Sequence, residues 1–320
     1  MGNTLFNHKP HAKRRLNILP DNPEDEDPTK AVGLGRFPSW LHRKLPRGKN
    51  LSKTHEILST HRLPTVCEEA KCPNLLECYS KKTATFLALG SSCTRACGFC
   101  EINFSKFPPP PQNNEPSRLA TSVRELDLKH VVITMVARDD LEDGGAFHIK
   151  TIIEEVRRQN EGVTIEVLSS DFSGNKKAVE TLIEASPEIF NHNIETVRSL
   201  TPRVRHKATY DRTLSVLTQV ASSKRDILVK SGLMVGLGES DAEIKQTMQD
   251  LAQVPCNIIT LGQYLQPGPH KLRVKRFVSP KEFENYATFG RSLGIKEVYA
   301  GPFVRSSYNA KELFEKMAFK

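Results

Sequence analysis

The chain has 320 residues, 38% of them hydrophobic, and a mean hydropathy of −0.43. That length supports one domain of roughly 200–250 residues with appendages, and no apolar run reaches the ~18 residues of a membrane-spanning helix. A formal net charge of +9 leaves room for an acidic protein partner; without a basic tract or an aromatic RNA-binding motif, nucleic acid is the weaker expectation.

Residues 1–50 read as a polar, basic arm, partly disordered, pinned where Trp40 and Leu41 find apolar cover. The dense acidic run Asp21–Asp27 argues against an organellar transit peptide despite Lys13-Arg14-Arg15, and no signal-peptide core or myristoylation site follows Met1. A cytoplasmic location is expected. Residues 51–82 hold a short helix over Leu51–Leu63 and then Cys67, Cys72 and Cys78, separated by four and five residues.

A regular pattern begins at Ala84–Leu89. Further β-branched or apolar runs occur at Val131–Val136, Ile165–Leu168, Ile189–Ile194, Ile227–Leu237 and Ile258–Leu265. Helical segments separate them: Ile149, Ile152, Ile153 and Val156 fall on one helix face, and Ser240 with Glu243 and Ser279 with Glu282 have capping-box spacing. About six strand–helix units predict a parallel sheet. The expected fold is α/β, a partial TIM-type (β/α)6 barrel over 83–295, with N-terminal and C-terminal extensions. Pro108–Pro111 reads as an extended surface loop, and residues 296–320 as a C-terminal segment that starts with a strand-like Glu297–Ala300.

In such barrels the loops after the strands carry function. That rule collects Cys93–Cys100, Arg138-Asp139-Asp140 with Gly144-Gly145, Asp171, Asn191–Glu195, Gly236–Glu239 and Gln263–Gln266 on one face. Six of the seven cysteines lie in two tight groups, which reads as metal ligation rather than a disulfide framework. Cys93, Cys97 and Cys100, with Phe99 before the last, form a claw for three corners of a [4Fe–4S] cube, leaving one iron open. A structural zinc loop would need a fourth, borrowed ligand. Cys67, Cys72 and Cys78 taken alone fit a zinc knuckle equally well. Cys256, isolated beside an apolar strand, reads as a small buried hydrophobe.

The Cys93–Cys100 loop resembles the signature of the radical S-adenosylmethionine superfamily. Together with Cys67, Cys72 and Cys78, the segments Phe190–Thr196, Pro202–Arg205, Gly262–Pro267 and Arg305-Ser306-Ser307-Tyr308 resemble lipoyl synthases over about residues 40–310. The resemblance implies that S-adenosylmethionine chelates the open iron of the Cys93, Cys97, Cys100 cluster, with Arg138, Asn191 and Glu195 as further candidate cofactor contacts. It also implies an auxiliary [4Fe–4S] cluster on Cys67, Cys72, Cys78 and a serine of Arg-Ser-Ser-Tyr. Ser307 is the choice there, with Ser306 held back; a helix-capping role does not claim Ser307, since Asn309 and Glu312 have the capping-box spacing.

The implied activity is insertion of two sulfur atoms at C6 and C8 of an octanoyl group, with the auxiliary cluster consumed as sulfur donor. Implied partners are octanoylated lipoyl-carrier domains of 2-oxoacid dehydrogenase acyltransferases and of the glycine cleavage carrier protein. An electron donor such as flavodoxin or ferredoxin and an iron–sulfur carrier for cluster repair are implied as well. Met135, Ala137, Ser170, Ser173 and Asn257 depart from the family pattern. Two other classes compete: a tRNA methylthiotransferase, which would need a terminal RNA-binding domain for which little sequence remains, and a zinc-binding interaction protein.

Overall fold

The computed structural model describes residues 37–42, 49–205, 207–310 and 312. Most of the expected polar arm and the last residues of the C-terminal segment therefore lie outside the described residues. At the arm's end, Leu41 is buried in a short 3-10 turn, and the Phe37 ring meets Phe277 edge-on at 5.7 Å.

Among the described residues, three α-helices precede the sheet: α1 (Lys49–Thr60), α2 (Val66–Glu69) and α3 (Leu75–Ser80). The Thr65 hydroxyl caps α2 and also meets Tyr79 Oη at 2.9 Å, while Thr54 Oγ1 donates to the Tyr79 carbonyl. These buried bonds hold α1, α2 and α3 as one unit, with Cys67 in α2 and Cys78 in α3.

Then follow β1 (Thr85–Ala88), β2 (Ser92–Cys93), β3 (Asn103–Phe104), α4 (Glu115–Glu125), β4 (His130–Met135), α5 (Ala146–Gln159), β5 (Thr164–Leu168), α6 (Lys176–Glu184) and β6 (Ile189–Asn191). The remainder is α7 (Thr201–Val204), α8 (Tyr210–Ala221), β7 (Leu228–Val235), α9 (Asp241–Gln253), β8 (Ile258–Gln263), α10 (Pro280–Ser292) and β9 (Glu297–Gly301). All pairings in the main sheet are parallel, in the order β1-β4-β5-β6-β7-β8-β9, and among the described residues the sheet does not close. Parallel neighbours require a crossover, and helices supply it, so the strands are covered on both faces and run nearly continuously apolar. The sheet has one strand more than six strand–helix units provide. Residues 297–301, read as the start of the C-terminal segment, pair with β8 and form the seventh strand.

Local chemistry fixes the helix starts. Ser240 and Ser279 each complete the expected capping box with Glu243 and Glu282. Ile149, Ile152, Ile153 and Val156 turn inward from α5 as their spacing requires. Pro108–Pro111 runs along the surface, next to a fully solvent-facing Phe107.

Candidate active site

The first thiol claw is built where β1 ends. Leu89 and Gly90 take φ of +68° and +88°, turning the chain into β2, which pairs with β3 to close a loop around Cys97 and Cys100. The loop is fastened at several backbone points: Ser105 N to Cys93 O, Cys100 N to Cys97 O, Gly98 N to Val204 O and Leu272 N to Gly98 O. A Cβ on Gly98 would sit 3.0 Å from the Leu272 side chain, so glycine allows the segment after β8 to lie flat on the claw. Phe99 packs beside Val204, Leu237, Tyr264 and Leu272, anchoring the claw's third cysteine through its neighbour. Thr94 ties the loop to the end of β4, donating to Ala137 O through both its amide and its hydroxyl.

The second claw lies on α2 and α3, with Cys72 between them and its amide donating to Cys67 O. The C-terminal segment crosses it. Asn74 Nδ2 donates to Phe303 O at 2.7 Å, and Tyr308 Oη donates to Glu77 Oε1 at 2.8 Å. Ser306 and Ser307 therefore lie between two fastenings to the Cys72–Cys78 stretch. Ser306 Oγ accepts from Asn193 Nδ2 at 3.2 Å, which brings the same segment to the barrel mouth. The Ser307 hydroxyl makes no hydrogen bond among the described residues. Lys71 Nζ to Glu101, 2.7 Å, joins the two cysteine loops.

Burial pushes the thiols up: Cys67 to about 12 and Cys78 to about 11, with Cys72 adding to both. In the first claw burial takes Cys97 to about 11 and Cys100 to about 12, and neighbouring thiols add to the rise. Each claw thus crowds three thiols whose ionised forms repel one another, a donor set that calls for a multiply charged soft cation. Among the described residues no three His, Cys, Asp or Glu side chains close to the spacing of a single metal ion. Two all-sulfur triads are the donor type that iron–sulfur clusters take.

The other named residues have distinct positions. Glu195, with φ +64°, is half-buried near Cys97 and Cys100; desolvation raises its pKa against the pull of Arg205, and it accepts from Asn193 Nδ2. Asn191 is buried and donates to Glu166, and its Oδ1 has no partner among the described residues. Arg138 is engaged elsewhere: its Nε and Nη2 grip Asp140 and its Nη1 donates to Leu89 O. Cys256 is buried, with its thiol toward the Val229 and Ile258 carbonyls. Asn309, expected as a helix cap, takes φ +51°, outside the extended region of an N-cap, and donates to Tyr299 Oη.

Two features escaped sequence reasoning. Asn193 bridges Glu195 and Ser306, and its buried Oδ1 has no partner among the described residues; the Asn193-x-Glu195 alternation at a strand end was the available signal. Arg95, inside the first claw, bonds to carboxylates far away in sequence, which no local pattern reveals.

The comparisons bear on this geometry. Residues 87–251 match the family model described as the radical SAM superfamily, and residues 20–72 match the N-terminal domain of lipoyl synthase of that family. The lipoyl synthase of Protochlamydia amoebophila (strain UWE25) is 64% identical over 299 residues, covering 93% of this chain and 92% of the relative. The chain belongs to the lipoyl synthase family. That of Chlamydia muridarum (strain MoPn / Nigg) is 51% identical, with 94% and 97% covered. Among solved structures, the hydrogenase maturase HydG from Carboxydothermus hydrogenoformans superposes with a TM-score of 0.52 at 14% identity, covering 72% of this chain and 66% of that one. Streptococcus suis SuiB gives 0.53 at 11%, covering 82% and 55%. At such identities these likenesses concern the fold alone.

Most departures from the lipoyl synthase pattern have a local account. Ala137 serves through its carbonyl, Ser170 Oγ accepts from Phe172 N, and Asn257 Oδ1 accepts from Val229 N as an aspartate would. Ser173 Oγ donates to Asp139. Nothing in the structure explains Met135, which is simply buried at the end of β4.

Proposed function

We propose that this chain forms the two carbon–sulfur bonds of a lipoyl group, at C6 and C8 of an octanoyl chain held on a lysine of a lipoyl-carrier domain. Relatives named lipoyl synthase at 51–64% identity over most of the chain support the reading. When bound, one [4Fe–4S] cluster with S-adenosylmethionine supplies the radical that attacks an unactivated C–H bond, and the second supplies sulfide. Cys93, Cys97 and Cys100 hold the first; Cys67, Cys72, Cys78 and Ser307 hold the second.

The observation that carries this division is the double fastening of the C-terminal segment, Asn74 to Phe303 and Tyr308 to Glu77, combined with Ser306 on Asn193. It supports a second claw lying over the barrel mouth, with the sulfur donor facing the radical source. The free hydroxyl of Ser307 among the described residues favours it over Ser306 as the fourth ligand. Glu195 and Asn193, beside Cys97 and Cys100, are the better-placed cofactor contacts; Arg138 and Asn191 have their donors turned to protein partners.

Residues 51–82 and 296–320 then complete the auxiliary site around the barrel of 83–295. A mouth enclosed by the claws excludes water from a reactive carbon. Carrier domains of 2-oxoacid dehydrogenases and of glycine cleavage are the partners, a flavodoxin or ferredoxin the reductant, and an iron–sulfur carrier the repair partner, in the cytoplasm. No described helix is long and apolar enough to cross a membrane. The test is mass spectrometry of an octanoyl-lysine peptide incubated with reconstituted protein, reductant and S-adenosylmethionine. Lipoyl product supports the reading, and deoxyadenosine without any sulfur insertion, from protein loaded at both sites, refutes it.

A further inference from the structure

Arg95 lies between Cys93 and Cys97, where a side chain of the claw would ordinarily face solvent. Its guanidinium is instead buried, 6% exposed, at the ends of two neighbouring strands. Nε and Nη2 bind both oxygens of Asp139 at 2.9 and 2.7 Å, from the loop after β4. Nη2 also meets Asp171 Oδ1 at 2.7 Å and Ser173 Oγ at 3.1 Å, from the loop after β5. Asp171 is fully buried and shared with Arg212 Nη1 at 3.1 Å, from the start of α8; Ser173 Oγ closes the ring by donating to Asp139. Lys207 Nζ stands 3.8 Å from Asp139 and donates to Thr94 O. On the claw side, the Arg95 amide donates to Cys93 Sγ at 3.3 Å, and the charge of Arg95 is felt at Cys97 together with that of Arg205.

This arrangement is more than a surface ion pair. Two carboxylates from different strand ends converge on one planar fork, a geometry that a lysine ammonium cannot reproduce. Low exposure keeps the charges poorly screened. Hydrogen bonds to ligand sulfur and nearby charges are among the levers by which a protein sets a cluster's potential. A cation held there favours the reduced, more negative cluster, and the carboxylates oppose it.

We propose that Arg95 is a positioning residue, which pins the first claw to the ends of β4 and β5 and, with Asp139 as counter-charge, sets the reduction potential of the cluster held by Cys93, Cys97 and Cys100. The proposal rests on the reading that those cysteines hold a cluster. Its test is a redox titration of anaerobically reconstituted protein, following by electron paramagnetic resonance the signal that changes when S-adenosylmethionine is added.

Arg95→Gln removes the cation and lowers the midpoint, on the order of tenfold less reduced cluster at fixed poise, or about 59 mV for one electron. Asp139→Asn removes the counter-charge and raises it. Arg95→Lys keeps the midpoint nearer wild type but loses the fork, so amides 94–99 exchange hydrogen faster. Opposite shifts in Arg95→Gln and Asp139→Asn establish the electrostatic role, since a merely structural defect would move both the same way. Shifts of one sign, or none, overturn it. Wild-type protein with no S-adenosylmethionine-sensitive signal would instead refute the underlying cluster reading.

Discussion

Ser306 and Ser307 are adjacent in sequence, yet only one hydroxyl is engaged by the barrel, through Asn193. Ser307→Ala is therefore expected to lose the auxiliary share of bound iron, about four of eight ions, while Ser306→Ala keeps it; iron and sulfide assays on anaerobic protein decide. Tyr308→Phe deletes the bond to Glu77 and should cost about 1 kcal/mol of stability, with faster loss of auxiliary iron on chelator challenge. His192 offers a pH test. Burial, then Arg205, lowers its pKa from 6.5 to about 4, and the neutral ring donates from Nδ1 to Ser169 O. A depressed pKa means that its contribution is complete above about 6.5 and is lost as pH falls through about 4, because the unfolded state takes the proton first. His192→Gln should flatten that part of the stability–pH curve measured by urea unfolding.

At the scale of elements, β8 and the C-terminal segment approach so closely that a Cβ on Gly262 would lie 2.0 Å from Val304 O. Gly262→Ala should therefore displace the segment, destabilise the protein by roughly 1–3 kcal/mol, and lower auxiliary iron while sparing the iron on Cys93, Cys97 and Cys100. The strands themselves were legible, because parallel strands buried on both faces are written as apolar runs, and the two capping boxes marked where α9 and α10 begin. Both groups of three cysteines stood out in the sequence because their spacing is local. Pairing was less so: β9 looked like the start of a tail, since nothing in Glu297–Gly301 announces β8 as its neighbour. The Ile189–Ile194 run stops as a strand at Asn191, where the backbone turns to present Asn193 and Glu195. Arg138 was singled out by its place after a strand, but Asp140 two residues on satisfies it. The partners of Arg95 stand 44 and more residues away, beyond the reach of any local pattern.

The whole molecule is built on an open, partial barrel whose interior carries charge as well as apolar side chains. Lys230 Nζ meets both oxygens of Glu166 at 2.9 Å, both residues fully buried, and Asn191 adds a bond from β6. Burial disfavours ionised Glu166, but Lys230 and His130 overcome it and hold its pKa low. Lys230→Met leaves a buried carboxylate unpaired and should cost about 3–5 kcal/mol, while Lys230→Met with Glu166→Gln should recover much of it. Denaturant midpoints of the single and double variants check this. Above that floor, the sulfur that reaches the octanoyl chain is expected to come from sulfide held by Cys67, Cys72, Cys78 and Ser307. Reconstitution with isotopically heavy sulfide, followed by mass spectrometry of the octanoyl-lysine peptide after one turnover, tests it directly. Heavy sulfur at both carbons in wild-type protein, with none inserted by Cys78→Ala although that variant still forms 5′-deoxyadenosine, is the predicted result. Unlabelled sulfur in the product, or lipoyl product from Cys78→Ala, would contradict it.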